Sequence, residues 1–158
     1  MRFLTVLLIG LSTMFTSTVA QSPESTSGGG INLGLAHFAD TSALEIMLGG
    51  WYGSPRNGPL VDGAFGVDWA IGHGTPYDML DGDLGYSIFL GPSDRTRLLI
   101  RAGASWWGKN DRTNGLGVNG AIELQYFPTF HLGWSLTMTW RRFSGFTAPS
   151  ATAGLTLR

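Results

Sequence analysis

The sequence predicts an all-β fold, a closed antiparallel eight-stranded up-and-down transmembrane β-barrel, on three observations. Polar and apolar residues alternate with a period of two in segment after segment, and Gly, Pro, Asn and Asp fall between the segments. The apolar face is bulky and almost uncharged, whereas the polar face is Gly, Ala, Ser and Thr with a few Arg, Asp and Glu. Charged residues make up 13% of the chain, about half the ~25% usual in soluble domains, beside 24 glycines and six tryptophans. That is too little charge to cover a surface facing water.

The chain opens MRFLTVLLIGLSTMFTSTVAQS, in which Arg2 precedes an apolar run and Thr18, Val19 and Ala20 stand where a signal peptidase reads. Residues 1–20 therefore read as a cleaved secretory signal peptide, too short and wrongly flanked for a membrane anchor. Residues 21–30, QSPESTSGGG, lack periodicity and read as a flexible periplasmic leader, leaving 31–158 for a single barrel domain. The chain has no cysteine, so stability has to come from burial and backbone pairing. A net charge of −1 leaves no nucleic-acid footprint.

Eight strands follow in order. Near 31–38, Ile31, Leu33 and Leu35 oppose Asn32, Gly34 and Ala36. Near 43–52, Leu44, Ile46 and Leu48 oppose Glu45, Met47 and Gly49. Near 60–72, Val61, Phe65, Val67 and Trp69 oppose Asp62, Ala64, Gly66 and Asp68. Near 79–90, Leu80, Leu84, Tyr86 and Ile88 oppose Asp81, Asp83, Gly85 and Ser87. Near 96–107, Leu98, Ile100, Ala102 and Ala104 oppose Arg97, Leu99, Arg101 and Gly103. Near 116–127, Val118, Ile122, Leu124 and Tyr126 oppose Asn119, Ala121, Glu123 and Gln125. Near 131–143, Trp134, Leu136, Met138 and Trp140 oppose Ser135, Thr137, Thr139 and Arg141. Near 150–158, Ala151, Ala153, Leu155 and Leu157 oppose Thr152, Gly154, Thr156 and Arg158. Most of these segments are long enough to cross a membrane as tilted strands.

Alternation alone leaves open which face meets water. The small polar set fits a narrow lumen and the bulky set fits lipid. Aromatic residues add a second test, since Trp and Tyr favour the two membrane interfaces. With the first strand running outward, Trp51, Tyr52, Tyr126 and Trp134 fall toward the periplasmic rim, and Trp69, Trp106 and Trp140 toward the outer rim. Closure follows from backbone chemistry, because an open edge in hydrocarbon leaves N–H and C=O groups unpaired.

Signal peptide, strand count and face chemistry together resemble the small eight-stranded outer-membrane barrels of Gram-negative bacteria, typified by the OmpA membrane domain and OmpX. The resemblance spans the mature chain and is architectural. It implies a cell outer-membrane location, a monomer, and outer-membrane lipids, lipopolysaccharide and the barrel assembly machinery as partners. The segment Thr152-Ala153-Gly154-Leu155-Thr156-Leu157-Arg158 looks like the final-strand signal that this machinery reads, with Arg158 where an aromatic residue is usual.

Hairpin projection brings Arg101 to the level of Gly85, diagonal to Asp83, and beside Glu123, and puts Asp68 about opposite Asp83. A luminal network of Arg101, Asp83, Glu123 and Asp68 is therefore expected. Its plain reading is structural, since buried charges must be paired; its sharper reading is a proton- or ion-handling site. The histidines His37, His73 and His131 fall at opposite rims, and a set of Ser105, His73 and Asp68 is the one arrangement for nucleophilic chemistry. Some outer-membrane barrels modify lipid A, but the His-x-Ser pair of the lipid A deacylases is missing here. No catalytic residue, metal or cofactor is assigned. The outer turns 39–42, 72–78, 108–115 and 144–149 are short; Lys109, Asp111 and Arg112 in the third could touch lipopolysaccharide phosphates. The preferred function is a structural or surface-interaction barrel with a side-chain-filled lumen. The alternatives are a lipid A-modifying barrel enzyme and a soluble secreted barrel holding an apolar ligand.

Overall fold

The computed structural model describes residues 26–38, 41–54, 57–70, 76–92, 94–109, 113–129 and 131–158, so the expected signal peptide lies outside the described residues. Eight strands run in sequence: β1 (Thr26–Phe38), β2 (Thr41–Gly53), β3 (Gly58–Ala70), β4 (Pro76–Leu90), β5 (Thr96–Lys109), β6 (Thr113–Tyr126), β7 (Leu132–Phe143) and β8 (Phe146–Leu157). Each pairs antiparallel with its neighbour in the chain, and β1 pairs with β8 to close the barrel. There is no helix among the described residues.

The register sets the tilt. A row of paired residues starting at Thr26 passes through Gly53, Leu60, Gly85, Arg101, Ala121, Thr139 and Ser150 and returns to β1 at Ala36, ten residues further along. For eight strands that stagger corresponds to a tilt of about 40° to the barrel axis and an interior just wide enough for side chains.

The faces are inverted relative to a soluble protein. Leu84 is 70% exposed and Leu116 77%, whereas Glu45 is 0% and Arg141 1% exposed. The bulky face of the alternating pattern is turned outward, whereas a soluble carrier of an apolar ligand would turn it inward around a cavity. Charges turned inward and leucines turned outward suit a wall bathed in hydrocarbon.

Two expected boundaries are corrected. Residues 26–30 are not leader but the start of β1, paired with β2 from Thr26↔Gly53 to Gly30↔Gly49. The glycine run signals flexibility in isolation, yet here it fits a crowded seam: a Cβ on Gly28 would stand 2.5 Å from the Trp51 ring. The expected turn 144–149 shrinks to Ser144 and Gly145, with Gly145 at φ +97°, a conformation glycine enters without a Cβ penalty. Pro149 is the last residue of that expected turn. It lies within β8 just beyond Ser150↔Ala36, where pairing with β1 ends, so its missing N–H deprives no β1 partner.

Candidate functional site

Among the described residues the strands converge their polar chemistry in the lumen, which is filled in layers. At the end where β1 begins and β8 finishes, Phe127 is buried and the Arg158 guanidinium lies 4.4 Å from its ring centroid. Above it Arg97 lies 3.8 Å from the Trp51 ring centroid and 5.4 Å from that of Phe89. Its Nε and Nη2 have no hydrogen-bond partner, so the ring faces supply the electrostatic contact. Leu60 and Leu99 pack beside Trp51.

The next layer centres on Arg101. Its Nη1 donates to Asp62 and its Nη2 to Glu123 Oε2 at 2.6 Å, while Gln125 Nε2 donates to Glu123 Oε1 at 2.7 Å. Successive inward positions on β5 and β6 bring Arg101 and Glu123 together, and β3 contributes Asp62 from across Asp83.

A second layer centres on Arg141. Its Nη1 donates to Glu45 Oε1 at 2.7 Å and to Ser150 Oγ at 3.2 Å; its Nη2 donates to Asp81 Oδ2 at 2.7 Å, and its Nε reaches both oxygens of Asp81, Oδ1 at 3.2 Å and Oδ2 at 3.0 Å. Ser105 Oγ donates to Asp81 Oδ1 at 2.5 Å and receives Asn119 Nδ2 at 3.0 Å. A guanidinium in this geometry meets Asp81 bidentately, which is the strong form of the contact. Residues of both layers line a cavity of about 50 Å³, which is water-sized space and not a channel.

The far end is closed by aromatic rings inside the barrel. Phe38 stacks on Tyr77 at 5.1 Å, Trp107 meets Phe146 edge-on at 5.3 Å, and Phe143 lies 5.0 Å from Phe146. Lys109 Nζ donates to Tyr77 Oη at 3.2 Å.

These positions redistribute the expected network. Arg101 and Glu123 meet, but Asp68 does not oppose Asp83: the register pairs Asp62 with Asp83 and Asp68 with Tyr77. β4 already begins at Pro76, inside what the sequence presents as loop, and this slides the hairpin by several residues. Asp68 is buried beside Glu45 on β2, with neither carboxylate oxygen hydrogen-bonded, and Asp83 Oδ1 is likewise without a partner. Asp62, Glu45, Asp81 and Arg141 were absent from the expected network. The first faces Asp83 directly and was within reach of a correct hairpin register; the other three meet across the lumen, which hairpin pairing cannot report.

Trp51 requires a further correction. It is buried in the lumen against Arg97, not placed at the lipid interface, because adjacent residues of a strand face opposite sides and Tyr52 takes the outward one. Tyr52, Tyr126 and Trp134 are exposed toward the end where β1 begins and Trp140 toward the other end, with Trp106 half-buried toward that second end. The side chain of Trp69 and all of His73, Asp111 and Arg112 lie outside the described residues. Ser105 points into the lumen and is buried, and its hydroxyl is engaged with Asp81, so it is not presented to a lipid outside.

No protein-family model matches the chain, and no curated protein matches it in sequence. Solved structures do. A de novo designed transmembrane β-barrel superposes with a TM-score of 0.57 at 14% identity, covering 87% of this chain and 97% of the other. The fold is that of a transmembrane β-barrel. Ail, the attachment invasion locus protein of Yersinia pestis, in its complex with the heparin analogue sucrose octasulfate, gives a TM-score of 0.62 at 11% identity over 85% of this chain and 97% of its own. Neisserial surface protein A gives 0.58 at 8% identity over 84% and 97%. Such neighbours are small eight-stranded outer-membrane barrels, and at these identities the likeness concerns the fold alone.

Proposed function

We propose that the chain is a monomeric outer-membrane barrel of the small OmpA-domain and OmpX kind, exported through a cleaved signal peptide and inserted by the barrel assembly machinery. Its role is envelope structure or surface interaction, not general transport. One observation carries the reading: the lumen is occupied by Arg101 with Asp62 and Glu123, by Arg141 with Glu45 and Asp81, and by an aromatic cluster at its far end. Side chains held by pairs this buried do not swing aside to pass solutes. The charge clusters are structural in this reading, and Tyr52, Tyr126, Trp134, Trp106 and Trp140 anchor the wall at the two interfaces.

Two measurements test it. The purified protein in planar bilayers is expected to show no sustained large conductance, and such a conductance would overturn the filled-lumen reading. Cell fractionation is expected to recover a heat-modifiable band from the outer membrane; recovery from the soluble periplasm without detergent would overturn the membrane location.

A further inference from the structure

Outside the barrel, the wall is not uniformly convex. An open groove of about 740 Å³ follows the row of paired residues Arg101, Ala121, Thr139, Ser150 and Ala36 across β5, β6, β7, β8 and β1 to the edge of β2. Its floor is low because the outward positions there are Gly120, Pro149 and Ala151. Its flanks are the exposed apolar side chains Leu35, Ile122 and Met138.

The groove has a direction and a length. It crosses five strand boundaries, about 24 Å at ~4.8 Å each. Rows perpendicular to strands tilted about 40° rise by that same angle from the membrane plane, so the groove spans about 15 Å of depth. That is half of a ~30 Å hydrocarbon core, the depth of one leaflet. Its deep end is at Ile100 and its shallow end at His37 and Ser42, whose side chains face out and are joined by a 3.4 Å hydrogen bond. Trp140 stands on the upper flank, and Arg142, two residues further along the same face of β7, is exposed toward the rim.

An apolar trough one leaflet deep, lined toward its shallow end by an imidazole and an indole and with the exposed Arg142 guanidinium next beyond that indole on β7, complements an acylated lipid with an anionic head. The geometry points to a lipid-binding site on the outer wall, which takes an acyl chain of lipid A along Gly120 and Ala151 and its phosphate at Arg142 and His37. The assignment rests on the outer-membrane reading above, which puts this leaflet at the cell surface. Arg142 is the charged anchor, His37 and Ser42 supply polar contacts, and Trp140 holds the interface.

Native mass spectrometry of the full-length mature barrel, released from detergent after incubation with purified lipid A, tests the site. Wild type is expected to retain one lipid A at a concentration where Gly120→Leu retains at least tenfold less. The added side chain enters open space, since a Cβ at Gly120 meets only the Arg101 carbonyl oxygen at 3.7 Å, so the barrel should fold. Heat-modifiable migration verifies folding, and Ala151→Leu provides the same test if Gly120→Leu does not fold. Arg142→Gln combined with His37→Gln is expected to weaken lipid A about tenfold. Equal retention by wild type and the filled groove overturns the site; equal or better retention of phosphatidylglycerol overturns lipid A as its occupant. Absence of lipid A binding by a barrel that fractionates with the outer membrane overturns the site and leaves the location standing.

Discussion

Arg141 on β7 and Glu45 on β2 meet at 2.7 Å although β8 and β1 stand between their strands in the wall. The contact spans the lumen, and Asp81 of β4 closes the cluster from a third direction at 2.7 Å. Among the described residues Arg141 is thus the cation that both carboxylates of this layer share. Arg141→Met is expected to cost about 3–5 kcal/mol, the usual result of leaving buried charge unpaired. Adding Glu45→Gln and Asp81→Asn is expected to restore much of it. Urea unfolding in lipid vesicles measures both; an Arg141→Met barrel as stable as wild type would show that these charges do not hold the wall.

Arg101 likewise has two carboxylate partners, Asp62 and Glu123. Glu123→Gln alone leaves Asp62 in place and is expected to cost less than Arg101→Met, which orphans both carboxylates. The double change Arg101→Met with Glu123→Gln should cost less than the sum of the singles, with a coupling of about 1–3 kcal/mol in the same unfolding assay. Additive effects would separate the two residues energetically and reopen a functional role for them.

Strand number and the inside and outside faces were legible because both are local: a period of two sorts Glu123 from Leu124 without reference to anything distant. Register was legible only where the turn was. Gly85↔Arg101 could be projected across the short turn after Leu90, whereas Asp68 was misplaced because Pro76 looks like loop yet begins β4. Arg141 escaped notice because its partners depend on stagger and closure, which are properties of all eight strands at once. Trp51 was misread for a different reason: its residue type favours an interface, but strand parity turns it inward, and parity is the stronger constraint.

Trp51 now supplies a prediction of its own. With Arg97 3.8 Å from its ring centroid and two guanidinium nitrogens lacking hydrogen bonds, the ring face is what makes this buried cation tolerable. Trp51→Phe keeps a smaller π-face and is expected to cost about 1 kcal/mol, while Trp51→Leu removes it and should cost about 3 kcal/mol. Replacing Arg97 by Met in the Trp51→Leu background should recover part of the loss, measured again by unfolding in vesicles. If Phe and Leu are equivalent at this position, Trp51 fills volume only.

Gly28 tests whether residues 26–30 belong to the wall. A Cβ there would meet the Leu157 carbonyl oxygen and stand 2.5 Å from the Trp51 ring, so Gly28→Ala must push apart β1, β2 and the closing strand β8. Overpacking of this kind costs about 1–3 kcal/mol. Gly82, on the outward face of β4, is the matched control: a Cβ there meets nothing within 4 Å, and Gly82→Ala should stay within about 1 kcal/mol of wild type and can gain from reduced unfolded-state entropy. Amide exchange should also quicken along β1 and β8 in Gly28→Ala and not in Gly82→Ala, because the strain falls on the closing seam. A flexible leader would tolerate Gly28→Ala without either effect, and that outcome would return the start of the barrel to Ile31.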